Sequence, residues 1–109
     1  LKLGNLFAFI DLNDQASLSR MSEAHPAFYP LKQKFESFGW ECAEANGHDA
    51  AAMFAAATAR KGDRPFALVG KTIKGRGVSY MEGVPIWHYR SPNKQEYEQA
   101  LRELKEIAS

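Results

Sequence analysis

Cysteine is almost missing from this chain. Cys42 is the only one, so no disulfide can close within the molecule, and its neighbours Trp40 and Ala43 suggest a buried strand position. Such usage fits a reducing, cytoplasmic setting. With three histidines beside that one thiol, the chain is too poor in nitrogen and sulfur ligands for a structural zinc site. It also lacks an excess of either charge. Fourteen Lys and Arg stand against thirteen Asp and Glu, a net charge of +1, which excludes a broad basic face for nucleic acid or a membrane surface. No apolar run approaches the ~20 residues of a membrane span, and no signal-peptide pattern opens the chain. Repeats, low-complexity tracts, paired carboxylates and a Ser/His/Asp arrangement are absent too. So is an initiator methionine: the opening Leu1-Lys2-Leu3-Gly4 reads as the last turn of a helix closed by glycine. The expectation is therefore a piece of a larger protein, with 109 residues making at most one small domain.

What is present begins with Leu6-Phe7-Ala8-Phe9-Ile10, a continuous apolar run rich in strand formers. A strand apolar on both faces belongs in the middle of a parallel sheet covered by helices. The run stops at Asp11-Leu12-Asn13-Asp14-Gln15. In open α/β sheets ligands sit outside the carboxyl ends of the strands, and this cluster carries oxygen ligands of the kind Mg²⁺ or Ca²⁺ take. The plain alternative is a turn, which Asp and Asn favour through local hydrogen bonds.

Residues 16–30 have no clear period and read as a long loop at that edge. Pro30 then suits the first position of a helix. Leu31, Phe35 and Phe38 give it one apolar face, and Gly39 ends it. Residues 40–45 read as a second strand, closed by Asn46-Gly47-His48-Asp49, whose last residue caps a helix over residues 50–60. That helix carries Met53, Phe54 and Ala57 on one side. A third buried strand spans residues 65–70, its leading Pro65 tolerated because the first strand residue can lack a ladder donor. A basic, glycine-punctuated loop, KTIKGRGV, follows, then a stretch without period over residues 80–92. Asn93 with Glu96 three residues on forms a capping-box start for a final helix, with Tyr97, Leu101, Leu104 and Ile107 on its buried face.

The predicted order is β-α-β-α-β-loop-α, an α/β, doubly wound, mostly parallel sheet with right-handed crossovers. Parallel strands bring residues 11–15, 46–49 and 71–78 to one sheet edge. Lys71, Lys74 and Arg76, with Gly75 and Gly77 allowing close backbone approach, would suit a phosphate there; a solvated basic loop is the alternative. His25 reads as a surface residue and His48 as a turn residue. His88 lies in Trp87-His88-Tyr89, a stretch expected to fold over the same edge, where packing and function both remain open.

Four strings taken together, LKLGNLFAFIDLN, FGW-x5-NGHD, KTIKGRGVSYMEG-x3-WH and PN-x2-EYEQAL, resemble thiamine-diphosphate-dependent transketolases. The resemblance covers nearly the whole chain, residues 1–109. It corresponds to the later part of their diphosphate-binding (PP) domain, closest to those split into separate N- and C-terminal subunits. It implies that Asn13 coordinates Mg²⁺ through its side chain and Gln15 through its backbone carbonyl. It implies that His88 lies near the diphosphate and the reacting centre, and that Lys71 and the KGRG loop border the cofactor cleft. Gly47-His48-Asp49 would be a structural turn. The implied cofactors are thiamine diphosphate and Mg²⁺. The implied partners are a C-terminal, pyrimidine-binding subunit or domain in a homo- or hetero-oligomer, and sugar phosphates as substrates of two-carbon ketol transfer. The chain departs from the pattern as well. The GDG that opens the cofactor motif and the activating glutamate of the pyrimidine domain are not in it. Tyr89-Arg90 stands where most relatives have glycine after the histidine, and Ser17-Leu18-Ser19 is similar to the deoxyxylulose-phosphate synthases. A synthase of that type, and a non-catalytic partner-binding remnant, are the other readings.

Overall fold

The computed structural model describes residues 3–108. The helix end expected at Leu1-Lys2-Leu3-Gly4 rests on Leu1 and Lys2, outside the described residues. The chain divides into two compact units, one of Leu1–Asn13 with His25–Thr72, the other of Asp14–Ala24 with Ile73–Ser109.

The first unit is a parallel sheet flanked by helices, as expected from the pattern. Its strands are β1 (Phe7–Leu12), β4 (Glu41–Asn46) and β5 (Phe66–Lys71), in the order β1-β5-β4. Both pairings are parallel, and the register lines up Leu12, Lys71 and Asn46 in one row at the carboxyl ends. The strand at the centre is β5 and not β1. Residues Phe66, Ala67, Leu68 and Val69 are sealed from solvent, whereas β1 alternates between exposed and half-buried positions, with Phe7 43% and Phe9 50% exposed. A short apolar run is compatible with burial on both faces but does not say which strand lies innermost. The Pro65 carbonyl accepts from Glu41 N at 2.9 Å, so the proline serves the ladder as an acceptor.

Leu31, Cys42, Ala67 and Val69 form the core, with Ile10, Leu12, Phe28, Phe35 and Trp40 packed against them. Burial pushes the Cys42 thiol above its usual pKa, so the group behaves as a small hydrophobe. Helix α2 (Leu31–Ser37) starts one residue later than expected, with Pro30 as its N-cap. It ends before Phe38, which is 84% exposed; Gly39, at φ +83°, turns the chain out. Only Leu31 and Phe35 of the expected face pack inward. Helix α3 (Ala50–Thr58) is capped by Asp49, whose carboxylate accepts from Ala52 N at 2.9 Å. Its alanines lie on every side, so no single apolar face forms, and Phe54 is exposed.

In the second unit, the stretch that lacks a period is ordered. A short hairpin pairs β2 (Gln15–Ala16) with β3 (Ser19–Arg20) and leads into one helical turn, α1 (Met21–Ala24). Polar groups hold it. Both oxygens of Asp14 accept from Ser22, one from its N–H and one from its hydroxyl, each at 2.8 Å. Asp14 and Ser17 both sit at φ +57°. Apolar periodicity cannot reveal an element built from side-chain caps. Residues 80–92 likewise contain a 3₁₀ turn, Pro85–His88. Helix α4 (Lys94–Ile107) opens with the full capping box: Asn93 accepts from Glu96 N at 2.9 Å, and Glu96 accepts from Asn93 N at 2.8 Å. The expected burial of its apolar face is not found. Ala100 is buried, but Tyr97, Leu101, Leu104 and Ile107 are exposed. Leu104 and Ile107 lie against Gly77, which has no side chain to cover them.

Candidate functional site

At the carboxyl ends of the strands, the first unit places a short polar relay. The Thr72 hydroxyl, just beyond β5, donates to Asp11 Oδ1, and the other oxygen of Asp11 accepts from Asn13 Nδ2 at 3.1 Å. Thr72 N donates to Leu12 O at 3.1 Å, which keeps the two strand ends together. Holding the amide nitrogen of Asn13 fixes which end of that side chain carries oxygen. Sequence pattern alone does not single out Asp11 or Thr72, because their partnership spans 61 positions and follows from parallel register.

Lys71 stands beside this relay and is engaged on the sheet. Its Nζ lies 2.8 Å from Glu44 Oε2 on β4, with the lysine side chain largely exposed. Such an exposed pair adds little to stability, so a bound anion competes for that ammonium at small cost. Gly47 explains the glycine-His-Asp turn. Its N–H donates to Lys71 O at 2.8 Å, and a Cβ there would meet Thr72 Cγ2 at 2.4 Å. Asn46 Oδ1 accepts from His48 N at 3.0 Å. His48 and His25 are both exposed.

The second unit holds Gln15, at the start of β2, and His88. In the basic loop Gly75 (φ +76°) and Gly77 (φ +93°) adopt the left-handed backbone that glycine allows. The loop's amides are turned to carboxylates: Gly77 N donates to Glu82 Oε1 at 2.9 Å, and Ser79 N donates to Glu103 Oε2 at 2.6 Å. Hydrogen bonds from Gln99 and Ser79 hold the Glu103 carboxyl below the usual carboxylate range. These two amides are thus committed to carboxylates of the same unit.

His88 is the exposed last residue of its 3₁₀ turn, with its ring edge-on to Tyr89 at 4.7 Å between centroids. The turn is tied down by its neighbours. Trp87 Nε1 donates to Tyr80 O at 2.9 Å, and the Tyr80 hydroxyl donates to Glu96 O at 2.7 Å. The Arg90 guanidinium lies 4.4 Å above the Trp87 ring and pairs with Glu96. The backbone bond from Asn93, followed by Arg90, draws the Glu96 carboxyl below its usual pKa. Partial desolvation and the two nearby glutamates push the Tyr80 phenol up.

Among the described residues no three His, Cys, Asp or Glu side chains converge to hold a metal. Of the two expected ligands, Asn13 in the first unit offers an amide oxygen and Gln15 in the second a backbone carbonyl; each is the oxygen type a hard cation such as Mg²⁺ takes, and two donors fill only part of its octahedron.

The fold and edge define a class first: an α/β unit with polar side chains beyond the carboxyl ends of its parallel strands, where ligands of such folds bind. No family model matches the chain. It is, however, 37% identical over 109 residues to the A subunit of apulose-4-phosphate transketolase from Phocaeicola vulgatus, covering 96% of this chain and 38% of that protein. It is 32% identical over 110 residues to the transketolase of Homo sapiens, covering 94% of this chain and 16% of that one. In structure it resembles transketolase from Campylobacter jejuni, with a TM-score of 0.74 at 23% identity over 95% of this chain and 16% of that one. The homologues of this chain are thus transketolases and transketolase A subunits, and it spans about two fifths of the A-subunit relative. No helix among the described residues is long and apolar enough to cross a membrane.

Proposed function

We propose that this chain is the later part of the diphosphate-binding domain of a thiamine-diphosphate- and Mg²⁺-dependent transketolase, which moves a two-carbon ketol unit between sugar phosphates in the cytoplasm. The observation that carries the reading is the similarity to transketolase A subunits over 96% of the chain, joined to a strand-ending Asp11-Leu12-Asn13 at the sheet edge. When bound, the cofactor supplies carbanion chemistry.

The chain's residues hold and orient. Asn13, with its amide nitrogen on Asp11, presents its oxygen to Mg²⁺, and Gln15 adds its backbone carbonyl. Lys71, paired with Glu44 at the sheet edge, would hold an anionic oxygen of the cofactor. His88 would bind a substrate hydroxyl or move its proton, as an imidazole can. Two donors do not complete a Mg²⁺ site, so other ligands are required; the resemblance further implies a pyrimidine-binding partner, in a homo- or hetero-oligomer such as a dimer. The isolated chain is inactive on this reading.

The test is a chimera in which this chain replaces the matching segment of the A-subunit relative. Titration calorimetry with thiamine diphosphate should show Mg²⁺-dependent binding that Asn13→Ala weakens by at least tenfold. Equal binding by the Asn13→Ala chimera would remove the metal assignment.

A further inference from the structure

We propose that Arg90 and Glu96 are positioning residues for His88, acting together as a clamp on the turn that carries it. The inference rests on the reading of His88 as a site residue and adds the device that orients it. His88 is exposed, and the turn Pro85–His88 has no side-chain cap at its start, so little in the turn itself fixes the imidazole. What fixes it comes from the residues on either side.

Trp87, directly before the histidine, is held from two directions. Its ring packs on Tyr80 at 5.0 Å, its indole N–H donates to Tyr80 O, and Arg90 covers it from 4.4 Å. Arg90 cannot rotate away without leaving Glu96. Glu96 in turn cannot move without giving up Asn93 N at the start of α4. The fork geometry of a guanidinium permits this double duty, one plane stacking on the ring while an edge nitrogen meets a carboxylate. Tyr80 closes the circuit, because its hydroxyl also ends on Glu96, at the backbone carbonyl. The first turn of the longest helix is thereby linked through two routes to the residue next to His88. Tyr89 meets the imidazole edge-on from the other side.

The test uses the 109-residue chain with its histidines labelled, following the Hε1–Cε1 signals by nuclear magnetic resonance. Three signals are expected, since the chain has three histidines; His88→Ala identifies one, and His25 and His48 act as internal controls. Arg90→Met should shift and broaden the His88 signal while the other two stay in place. Arg90→Lys keeps the charge but lacks the planar fork that stacks and pairs at once, and should restore little of the original position. Glu96→Gln preserves the capping hydrogen bonds but removes the charge that holds the guanidinium, and should move His88 in the same direction as Arg90→Met. A His88 signal that stays put in Arg90→Met while the Trp87 indole N–H signal moves would overturn the clamp. If Arg90→Met disturbs all three histidines, Glu96→Gln decides, and a stationary His88 there overturns it equally. Failure of the underlying reading looks different: a His88→Ala chimera with undiminished ketol transfer removes the histidine from the site and leaves the clamp signals as they are.

Discussion

Gly47 is the position where a single methyl group should do most damage per atom added. Its φ is not in the left-handed region, so alanine is not excluded by backbone preference; the cost is contact. An added Cβ would lie 2.4 Å from Thr72 Cγ2, 3.1 Å from Gly70 C and 3.2 Å from Lys71 O. The first neighbour is a side chain, but its hydroxyl is committed to Asp11, so rotating the methyl away sacrifices that bond. The other two are backbone atoms of the central strand β5. Overpacking of this kind costs about 2 kcal/mol. In a unit of this size that lowers the melting temperature by roughly 10 °C. Gly47→Ala should therefore show a reduced urea midpoint with an unchanged slope. Thr72→Ser, which removes Cγ2 and keeps the hydroxyl, should offset part of the loss in the double variant, with a coupling of about 1 kcal/mol. A Gly47→Ala protein as stable as the parent, or strictly additive variants, would refute the close approach of this turn to β5.

Other expectations follow from the same structure. The Glu103 carboxyl has a folded pKa below its unfolded value, so its contribution is present above an ordinary glutamate pKa of about 4.3 and is lost as pH falls through the lower folded value. The urea midpoint should drop with acid in that window, and Glu103→Gln should flatten the drop. Asn93→Ala removes the acceptor for Glu96 N and should cost about 1 kcal/mol, read as lost helical circular dichroism at lower urea. Phe66→Ala hollows the buried central strand, where Phe66 is 2% exposed, and should cost about 3–5 kcal/mol; thermal melts would check this.

The sequence patterns that prove legible are those with a local cause. Asp49 before the alanines, Asn93 with Glu96, and Gly39 after Phe35 each declare a helix end through hydrogen bonds or backbone geometry spanning a few residues. The buried strand at Phe66–Val69 and the parallel row of strand ends are likewise readable, since apolar runs alternating with helices impose that topology. The losses are long-range. Placing β1 at the edge and β5 in the centre is decided by pairing partners, which composition does not encode. The apolar stripe of α4 reads as buried because amphipathic helices bury such faces, yet Tyr97, Leu101, Leu104 and Ile107 are exposed. The hairpin after Asn13 leaves no apolar signature, because Asp14 and Ser22 organise it. The proposed cofactor and catalytic residues, Asn13, Gln15, Lys71 and His88, are named by resemblance alone. The contacts of Asp11 with Asn13 and Thr72, and of Arg90 with Trp87 and Glu96, become visible only with side chains in place.

The most direct measurement is the rate of two-carbon ketol transfer by the A-subunit chimera carrying this chain, assembled with its pyrimidine-binding partner, thiamine diphosphate and Mg²⁺. Transfer from a ketose phosphate to an aldose phosphate is expected, with His88→Ala lowering kcat/KM by a factor of at least ten, about 1.4 kcal/mol of transition-state stabilisation. A soluble, cofactor-loaded chimera that transfers nothing would contradict a transketolase role for this chain.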